Sequence, residues 1–269
     1  MLTRENAKTL VKNTIKNSIT EFAAKSLKKK AKFQILDLII PKERKIRSIV
    51  GGLETSLGTT LWEPLAKALA QENGFTVIES NLQSPANMPS NLNNALQSII
   101  DDRKRGNGLY DATISHDEIK RVCQHFINRP IETFEAPPRG KGVDIWLSKD
   151  GVDYFFDIKT VQPNLPTLTG CMEQVLYWYA YFYSKHPTGS ATARIVFPYN
   201  PNSGKSFWQG VIGGGRPLEA DNEAWVENQF WDFCSGLKNA YEIITTSFTE
   251  LRASGELESS IDLLLNTYD

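Results

Sequence analysis

The spacing of apolar residues along the chain changes between a helical period and a strand period. Apolar positions three and four residues apart predict helices over residues 3–40, 53–72, 95–104, 115–127, 170–185 and 222–251. Short runs rich in β-branched and aromatic residues predict strands over 75–79, 142–148, 152–161 and 191–197. This order of elements predicts an α/β (α+β) fold, with a central mixed β-sheet flanked by helices and extra helices at the N- and C-termini.

Proline, glycine and capping residues predict where these elements begin and end. Pro41 is expected to end the first helix, and Gly51-Gly52 to open a turn before the second. Asn73-Gly74 is expected to end the second helix. Ser115, followed by Glu118, has the spacing of a capping box and is expected to begin the helix at 115.

The segment GVDIWLSKDGVDYFFDIKTV carries the most informative pattern. Asp150-Gly151 between two β-rich runs predicts a hairpin with a two-residue type I′ loop, which needs positive φ at both central residues. With that loop, Asp144 is expected to lie directly opposite Asp157. Like charges at opposed positions are destabilising, so a divalent cation between the two carboxylates would turn a penalty into a binding site.

Asp157 and Lys159 are expected to share one face of their strand, because side chains alternate along a strand. Lys159 would then lie diagonal to Asp144, where it can orient or deprotonate an attacking water or stabilise developing charge. Two carboxylates with open positions suit Mg²⁺, so Asp144, Asp157 and Lys159 are the predicted catalytic residues of a magnesium site. The alternative is an exposed ion-paired patch, but both strands are otherwise apolar, and a buried carboxylate without a cation is costly.

A third carboxylate is expected from the helix that precedes strand 75–79. Glu63 lies in the first turns of that helix and is a candidate metal ligand and catalytic residue. Glu54 is the rival if the helical register differs. An ordinary surface glutamate has the same spacing, so both interpretations stay open.

Polar and basic residues around the hairpin are candidate DNA contacts. Arg139 and Lys141 precede the first strand and are placed for phosphate contact. Gln162 and Asn164 follow the second strand. Lys205 lies in a loop that combines Asn, Lys, Gln and aromatic residues, which can read base edges, although any polar loop has similar chemistry.

Gln174 and Trp178 lie four residues apart, on one face of the predicted helix over 170–185. The pair is similar to the QxxxY signature of some nucleases. Such a pair more often reflects plain helix packing, so a functional role is the less common explanation.

Charge is distributed unevenly, although the formal net charge is only −1. Residues 1–50 carry 13 Lys and Arg against 4 Asp and Glu, a balance of +9. Residues 216–269 carry 3 against 11, a balance of −8. Basic clusters such as Lys28-Lys29-Lys30 can track phosphates, whereas the acidic end should avoid DNA; a solvated helix face is the alternative for the basic run.

Cysteine usage and hydropathy indicate the compartment. The three cysteines are widely spaced and form no CxxC pair, which argues against a disulfide framework or structural zinc and suits a reducing environment. The N-terminus lacks the apolar run of a signal peptide, and no stretch approaches the roughly 20 apolar residues of a membrane helix. We therefore expect a soluble cytoplasmic protein that does not enter a membrane.

These segments together resemble the TdeIII-like family of type II restriction endonucleases, which belongs to the PD-(D/E)XK nuclease group. The resemblance lies in RKIRSIVGGLETSLGTTLWEPLAKALAQENGF, GVDIWLSKDGVDYFFDIKTVQPN, WYAY, RIVFPYNP and QFWDFCSG, in that order within residues 30–250. Val143-Asp144 stands for the PD element, and Asp157-Ile158-Lys159 is an intact DxK element. The segment GCMEQVL at 170–176 departs from the basic stretch expected before WYAY.

The resemblance implies a Mg²⁺-dependent enzyme that cuts double-stranded DNA as a homodimer, at a short palindrome of the GG-N-CC type. It also implies metal ligation by Asp144, Asp157, Ile158 and Glu63, and a companion DNA methyltransferase that protects host DNA. We expect the whole chain, 1–269, to be a single nuclease domain, with a basic helical region (1–50), a catalytic core (53–200) and a loop plus C-terminal helices (201–269).

Three alternative functions remain open. A structure-directed or repair DNA endonuclease on the same core would share the metal site and ignore sequence. A non-catalytic DNA-binding module is disfavoured by the intact Asp157 and Lys159. A magnesium enzyme acting on small molecules is disfavoured because the chain has no phosphate-cradling loop.

Overall fold

The computed structural model of the protein describes residues 2–28, 35–202, 204–211 and 216–267. Lys29 and Lys30 of the predicted basic cluster lie outside these residues. The chain forms two compact units, a helical unit of Met1–Asn73 with Trp231–Asp269 and a sheet unit of Gly74–Phe230. The assignment of the whole chain to a single nuclease domain stays a prediction.

The described residues contain helices and strands in a mixed order. The helices are α1 (Arg4–Lys28), α2 (Pro41–Leu57), α3 (Glu63–Glu72), α4 (Ser90–Arg105), α5 (Ala112–Cys123), α6 (Leu165–Lys185), α7 (Asn228–Ser235), α8 (Ala240–Ser254) and α9 (Glu256–Thr267). A π-helical turn (Gly58–Trp62) joins α2 to α3, and 3₁₀ turns cover Ile35–Leu38 and Gln124–Ile127. The strands are β1 (Thr76–Val77), β2 (Ser84–Pro85), β3 (Phe134–Glu135), β4 (Ile145–Lys149), β5 (Val152–Ile158), β6 (Ala191–Phe197) and β7 (Ala224–Val226).

In the helical unit, α1 is the element on which the other helices pack. Its buried residues Ala7, Val11, Ile15 and Ala23 recur at multiples of four and therefore form one stripe along the helix. Helices α2, α3, α8 and α9 all contact α1. A helix is confirmed in the first part of the segment predicted over 3–40, and its buried stripe forms the centre of the helical unit.

Two helix boundaries in this unit differ from the prediction. Pro41 begins α2 rather than ending a helix, because the first turn of a helix needs no N–H from that residue and the fixed φ of proline suits it. Gly51 and Gly52 lie inside α2 and open no turn. Asn73 ends α3, and Gly74 follows with a φ of 82°, which confirms the predicted helix end.

The basic N-terminal helix is paired with acidic residues of the C-terminal helices. Lys8 and Lys12 both contact Glu250, and Lys12 Nζ lies 2.6 Å from Glu250 Oε2. Lys16 Nζ lies 2.9 Å from Glu256 Oε2. The opposite charges of the two ends of the sequence are therefore complementary within one unit, and these lysines do not form a free phosphate track.

The sheet unit is built on a five-stranded mixed sheet with the order β1-β4-β5-β6-β7. β1, β4 and β5 are antiparallel neighbours, whereas β5, β6 and β7 run parallel to one another. β2 and β3 form a separate antiparallel pair. The observed mixed sheet agrees with the predicted α/β class, and β6 has the predicted bounds.

Side-chain alternation gives the sheet two different faces. Phe155 of β5 packs against Phe182 of α6, with ring centroids 5.5 Å apart. Phe156, its neighbour in sequence, points the other way and packs against Trp225 and Phe230, with centroid distances of 5.9 and 5.3 Å. Helices α4 and α5 pack in turn on α6, so one face of the sheet lies under a helical layer.

Two further predicted helices differ from the observed ones in their start or their structure. Ser115 lies inside α5, and the cap is Asp111, whose Oδ1 accepts the Ile114 N–H at 2.7 Å. The single helix predicted over 222–251 is wrong. The short strand β7 pairs with β6 at this point, and α7 and α8 follow as separate helices. The apolar spacing did not reveal a three-residue strand that is stabilised by its partner strand.

A buried ion pair holds the segment that leads into β7. Arg103 Nη1 lies 2.5 Å from Glu223 Oε1, and Arg103 Nη2 lies 2.6 Å from Glu223 Oε2. Arg103 also donates to the carbonyl of Pro217, and Glu223 accepts the N–H of Glu219. Both charged side chains are 2% exposed, so this pair is fully enclosed and fully bonded.

Candidate active site

The hairpin that carries the candidate residues has the predicted turn. Asp150 has a φ of 53° and Gly151 a φ of 77°, as a type I′ loop requires. β4 and β5 pair from Lys149↔Val152 to Ile145↔Phe156. The predicted register therefore holds over all five pairs of the ladder.

The backbone leaves this register at Asp144. Its N–H donates to the carbonyl of Phe156 at 2.9 Å, whereas the uninterrupted register would pair Asp144 with Asp157. Asp144 Oδ2 then accepts the N–H of Ile158 at 2.9 Å, in the place where a backbone carbonyl of the neighbouring strand would lie. The prediction that Asp144 lies directly opposite Asp157 is therefore wrong by one residue, and a hydrogen bond to β5 orients its carboxylate.

Asp157 and Lys159 lie on the same face of β5, as predicted. Lys159 Nζ is 2.6 Å from Asp157 Oδ2, and the Asp157 side chain is only 8% exposed. The contact is an ion pair without the alignment of a hydrogen bond. Asp157 Oδ2 consequently has no hydrogen-bond donor among the described residues, although it is buried.

The charge of Lys159 is stabilised by its neighbours. Burial lowers the pKa of the Lys159 ammonium, but the negative charge and close contact of Asp157, with smaller contributions that include Asp144, outweigh burial and raise the pKa above its ordinary value. Lys159 is therefore a cation in this arrangement. It is suited to hold an anion or to stabilise developing negative charge.

Helix α6 contacts the carboxylate of Asp157 and the backbone that precedes Asp144. Gln174 Nε2 lies 3.2 Å from Asp157 Oδ1 and 3.2 Å from the carbonyl of Gly142. Trp178 Nε1 donates to the carbonyl of Lys141 at 3.0 Å. The two residues therefore do more than pack the helix, because they hold the segment that leads into Asp144. The signal for this role in the sequence was their shared helical face directly after the DxK strand.

Cys171 lies one turn before Gln174 and interacts electrostatically with both Lys159 and Asp157. Burial raises the pKa of its thiol to about 11, so the thiol stays protonated. This agrees with the expectation that the cysteines are small buried groups, and all three are free and buried.

The side chains around Asp157 offer few ligands for a divalent cation. Among the described residues, no three His, Cys, Asp or Glu side chains are grouped so as to hold a metal ion. The available carboxylates are those of Asp144 and Asp157, and Ile158 could contribute only its backbone carbonyl. One buried oxygen of Asp157 lacks an aligned donor, which fits a cation that keeps several waters and uses one or two carboxylates.

Glu63 and Glu54 lie in the helical unit. Glu63 is half-buried at the first position of α3, where its N–H donates to the carbonyl of Gly58 in the π-helical turn. Glu54 is exposed on α2. The half-buried position favours Glu63 over Glu54 as a functional carboxylate, and its role stays a prediction.

Of the predicted phosphate contacts, Arg139 is exposed and Lys141 is half-buried, with its Nζ 5.3 Å from the centre of the Tyr177 ring. Lys141 is three residues before Asp144 in the segment that Trp178 holds. The Lys141 side chain is therefore held against α6, whereas the Arg139 side chain extends into solvent.

The predicted base-reading residues have structural partners. Gln162 Nε2 donates to the carbonyl of Phe207 at 3.0 Å and ties the loop after β5 to the loop after β6. Asn164 caps α6, because its Oδ1 accepts the Thr167 N–H at 3.0 Å. Lys205 is exposed, and its backbone carbonyl accepts from Asn200 Nδ2. All three residues are exposed; Gln162 and Asn164 make these contacts with their side chains, whereas Lys205 makes its contact with its backbone.

In the described ranges, no helix is long and apolar enough to cross a membrane. The family model for "Type II restriction endonuclease, HinfI" matches residues 3–252. No curated protein and no solved structure matches the chain. The match confirms the predicted type II restriction endonuclease at the level of the family, whereas the TdeIII-like subfamily stays a prediction. Because the match covers nearly the whole chain, the protein belongs to the HinfI family of type II restriction endonucleases.

Proposed function

We propose that the protein is a Mg²⁺-dependent endonuclease with a PD-(D/E)XK core that hydrolyses phosphodiester bonds at a short palindromic site in double-stranded DNA. The observation that carries the proposal is the cluster of Asp144, Asp157 and Lys159 on one face of the hairpin, with a buried carboxylate oxygen that lacks an aligned donor. This oxygen has the Lys159 ammonium as its charged neighbour and no aligned donor, which leaves it able to coordinate a cation.

Asp144, Asp157 and the carbonyl of Ile158 would hold the cation, and Glu63 is the proposed further carboxylate. Bound Mg²⁺ would polarise the scissile phosphate and lower the pKa of the attacking water. Asp144 is oriented by the Ile158 N–H, and Asp157 by Gln174. Fixed carboxylates favour a defined cation position, so the phosphate would be held in one geometry.

Lys159 has a separate role in this proposal. Its ammonium lies against Asp157 and keeps its proton, so it would contact the scissile phosphate or the attacking water and stabilise the charge that develops there. Arg139, Lys141 and Lys205 would contact DNA phosphates, and Gln162 and Asn164 would shape the loops beside the bases.

The family and the resemblance also suggest the biological setting. We propose a cytoplasmic homodimer that cuts both strands of a GG-N-CC-type site, and a companion methyltransferase that protects host DNA. Two-fold symmetry of the protein would match the palindromic symmetry of its target.

Digestion of phage-sized DNA tests this proposal. The purified protein is incubated with Mg²⁺ or with EDTA, and the products are separated on a gel. Discrete bands that require Mg²⁺ are expected, and mapping of their ends gives the site. A Mg²⁺-dependent smear would instead indicate a structure-directed nuclease, and intact DNA in both lanes would indicate a binding module without catalysis.

A further inference from the structure

A cavity of about 350 Å³ lies in the sheet unit, beside the hairpin that carries the candidate catalytic residues. This volume is within the range of small-ligand sites, roughly 300–1,000 Å³. Its walls come from β4, α6 and the loop before β2. The residues that line it include Asn81, Trp146, Tyr181, Phe182, Lys185 and His186.

The cavity and the catalytic residues share two structural elements and one face of the sheet. Trp146 is two residues after Asp144, so their Cα atoms are about 7 Å apart along the chain. Tyr181 is seven residues after Gln174 on α6, which is about 10 Å along the helix. Trp146 packs on Phe155, which points to the same side of β5 as Asp157. The cavity therefore lies on the same side of the sheet as Asp157, about two residues along β4 and two turns along α6 from the proposed catalytic residues.

The walls of the cavity are suited to a flat aromatic ligand. Trp146, Phe182 and His186 contribute rings, and the His186 ring lies 5.2 Å from that of Phe182. The indole N–H of Trp146 donates to Asp153. A ligand in the cavity would therefore contact these side chains through the faces and edges of their rings. Aromatic side chains of this kind bind nucleobases by stacking.

The cavity also contains polar groups without a partner in the protein. Tyr181 is only 4% exposed, and its hydroxyl has no hydrogen-bond partner among the described residues. Desolvation by burial raises the pKa of this hydroxyl to about 12, so it stays protonated and can donate. The exposed Asn81 side chain adds an amide with both a donor and an acceptor, and the described residues give that amide no partner. The Tyr181 hydroxyl is not among the enclosed side-chain atoms of the described residues that lack a partner, so it opens to the cavity, where a ligand can accept its hydrogen bond.

A cation lies at the mouth of the cavity. Lys185 is exposed, and its Nζ lies 2.6 Å from Gln83 Oε1 and 5.6 Å from the centre of the Phe134 ring, both neutral groups. None of the described lining residues is a carboxylate, although Asp153 accepts from the Trp146 indole at the cavity wall. Rings, an amide, a hydroxyl donor and one cation together correspond to the parts of a nucleotide.

We propose that this cavity binds a nucleobase, with Tyr181 and Asn81 on its polar edge and Lys185 toward a phosphate. The base would be an extrahelical base of the DNA that is cut or the base of a free nucleotide. The first source rests on the proposed nuclease function, and the second does not.

The first arm of the test measures binding of each of the four deoxynucleoside monophosphates to the full-length protein by calorimetry, with inorganic phosphate as the ligand control. At least one nucleotide is expected to bind, and phosphate alone is not. Tyr181→Phe and Asn81→Ala should each weaken binding by about three- to tenfold, because each removes one hydrogen-bonding group. His186→Ala should weaken it by about fivefold or more through lost stacking.

Matched controls separate the cavity from the rest of the surface. Asn128→Ala and His125→Ala alter exposed residues of the same types that do not line this cavity, and nucleotide binding should not change. Tyr181→Phe keeps the buried ring, and Asn81 is exposed, so both variants are expected to fold. Nucleotide binding that Tyr181→Phe, Asn81→Ala and His186→Ala all leave unchanged would overturn the proposal.

The second arm places 2-aminopurine at each position of the mapped cleavage site in turn, in a duplex bound by the inactive Asp157→Ala variant. Higher fluorescence at one position, lost when Asn81→Ala is added, would identify an extrahelical base as the ligand. Nucleotide binding without this signal would identify a free nucleotide, and the absence of both signals would overturn the proposal. If the protein cuts no DNA, the proposed function has failed and the first arm alone decides.

Discussion

Two acid–base pairs of the sheet unit, each with a buried carboxylate, differ in how completely they are bonded. In the pair of Arg103 and Glu223, both carboxylate oxygens accept hydrogen bonds from the guanidinium, and both side chains are 2% exposed. In the pair of Lys159 and Asp157, the lysine is 33% exposed, and one buried oxygen has an ion-pair contact but no aligned donor.

The difference separates a pair with a structural role from the pair that we propose to be functional. Glu223 has no capacity left for a ligand, and its partner fixes the segment before β7. Asp157 keeps an oxygen available on the face that Asp144 and Lys159 share. Burial of charge alone therefore does not single out Asp157, whereas incomplete bonding of its carboxylate is the feature on which the proposed site rests.

The largest expected effect is on catalysis, from Lys159→Met. Cleavage of a labelled duplex should fall by about 10³-fold, because the charge that stabilises the transition state is lost. The unfolding temperature should change little, since the lysine is one-third exposed. Cleavage near the wild-type rate would exclude Lys159 from the mechanism. A large loss of stability would show that the Lys159–Asp157 pair stabilises the fold, as the Arg103–Glu223 pair does.

The opposite result is expected from Arg103→Met. This change leaves Glu223 buried without its partner, so the free energy of unfolding should fall by about 3–5 kcal/mol. Chemical denaturation measures that change, and cleavage per folded molecule should stay at the wild-type level. The double variant Arg103→Met with Glu223→Leu should recover most of the stability. No recovery would show that the loss had another cause.

A smaller effect on cleavage is expected from Gln174→Leu. Gln174 contacts Asp157 and the carbonyl of Gly142, so its loss should reduce the cleavage rate by about 10–100-fold through misplaced ligands. Raising the Mg²⁺ concentration should restore part of the rate, which a purely structural role would not allow. Gln97→Leu, an exposed glutamine that contacts Tyr177 instead, is the matched control and should keep the wild-type rate.

The smallest effect is expected from the exposed pairs of the helical unit. Hydrogen bonds from Lys12 and Lys8 hold the pKa of Glu250 below its ordinary value. The stabilisation is therefore present above the unfolded pKa of about 4.3 and is lost as the pH falls through the lower folded value. Glu250→Gln should lower the unfolding temperature slightly at neutral pH. That difference should vanish in strong acid and at about 1 M salt; a difference that persists in both would contradict an electrostatic origin.

The local parts of the fold and site could be predicted from sequence, and the tertiary parts could not. The hairpin register follows from Asp150-Gly151 and from alternation, which are properties of adjacent residues. The pairing changes at Asp144 because its carboxylate, and not a backbone carbonyl, accepts the N–H of Ile158. The spacing of residues in the sequence does not predict that contact. The role of Gln174 likewise depends on how α6 packs on β5.

The partners of the charged residues likewise could not be predicted from the sequence. A basic N-terminus and an acidic C-terminus are compatible with DNA binding or with each other, and only the packing of α1 against α8 and α9 shows that Lys8, Lys12 and Lys16 have acidic partners. Strand β7 could not be found because three residues carry too little periodicity, and its partner β6 is distant in sequence.

Asp144 and Asp157 are the carboxylates proposed to hold the metal ion. Titration of Mn²⁺, a cation that prefers the same oxygen ligands as Mg²⁺, followed by electron paramagnetic resonance in the presence of duplex DNA, tests that claim directly. Wild-type protein and the control Glu173→Ala, a neighbouring carboxylate paired with Lys104, should bind the ion, whereas Asp144→Ala and Asp157→Ala should lose it. Unchanged Mn²⁺ binding in both aspartate variants would contradict the account.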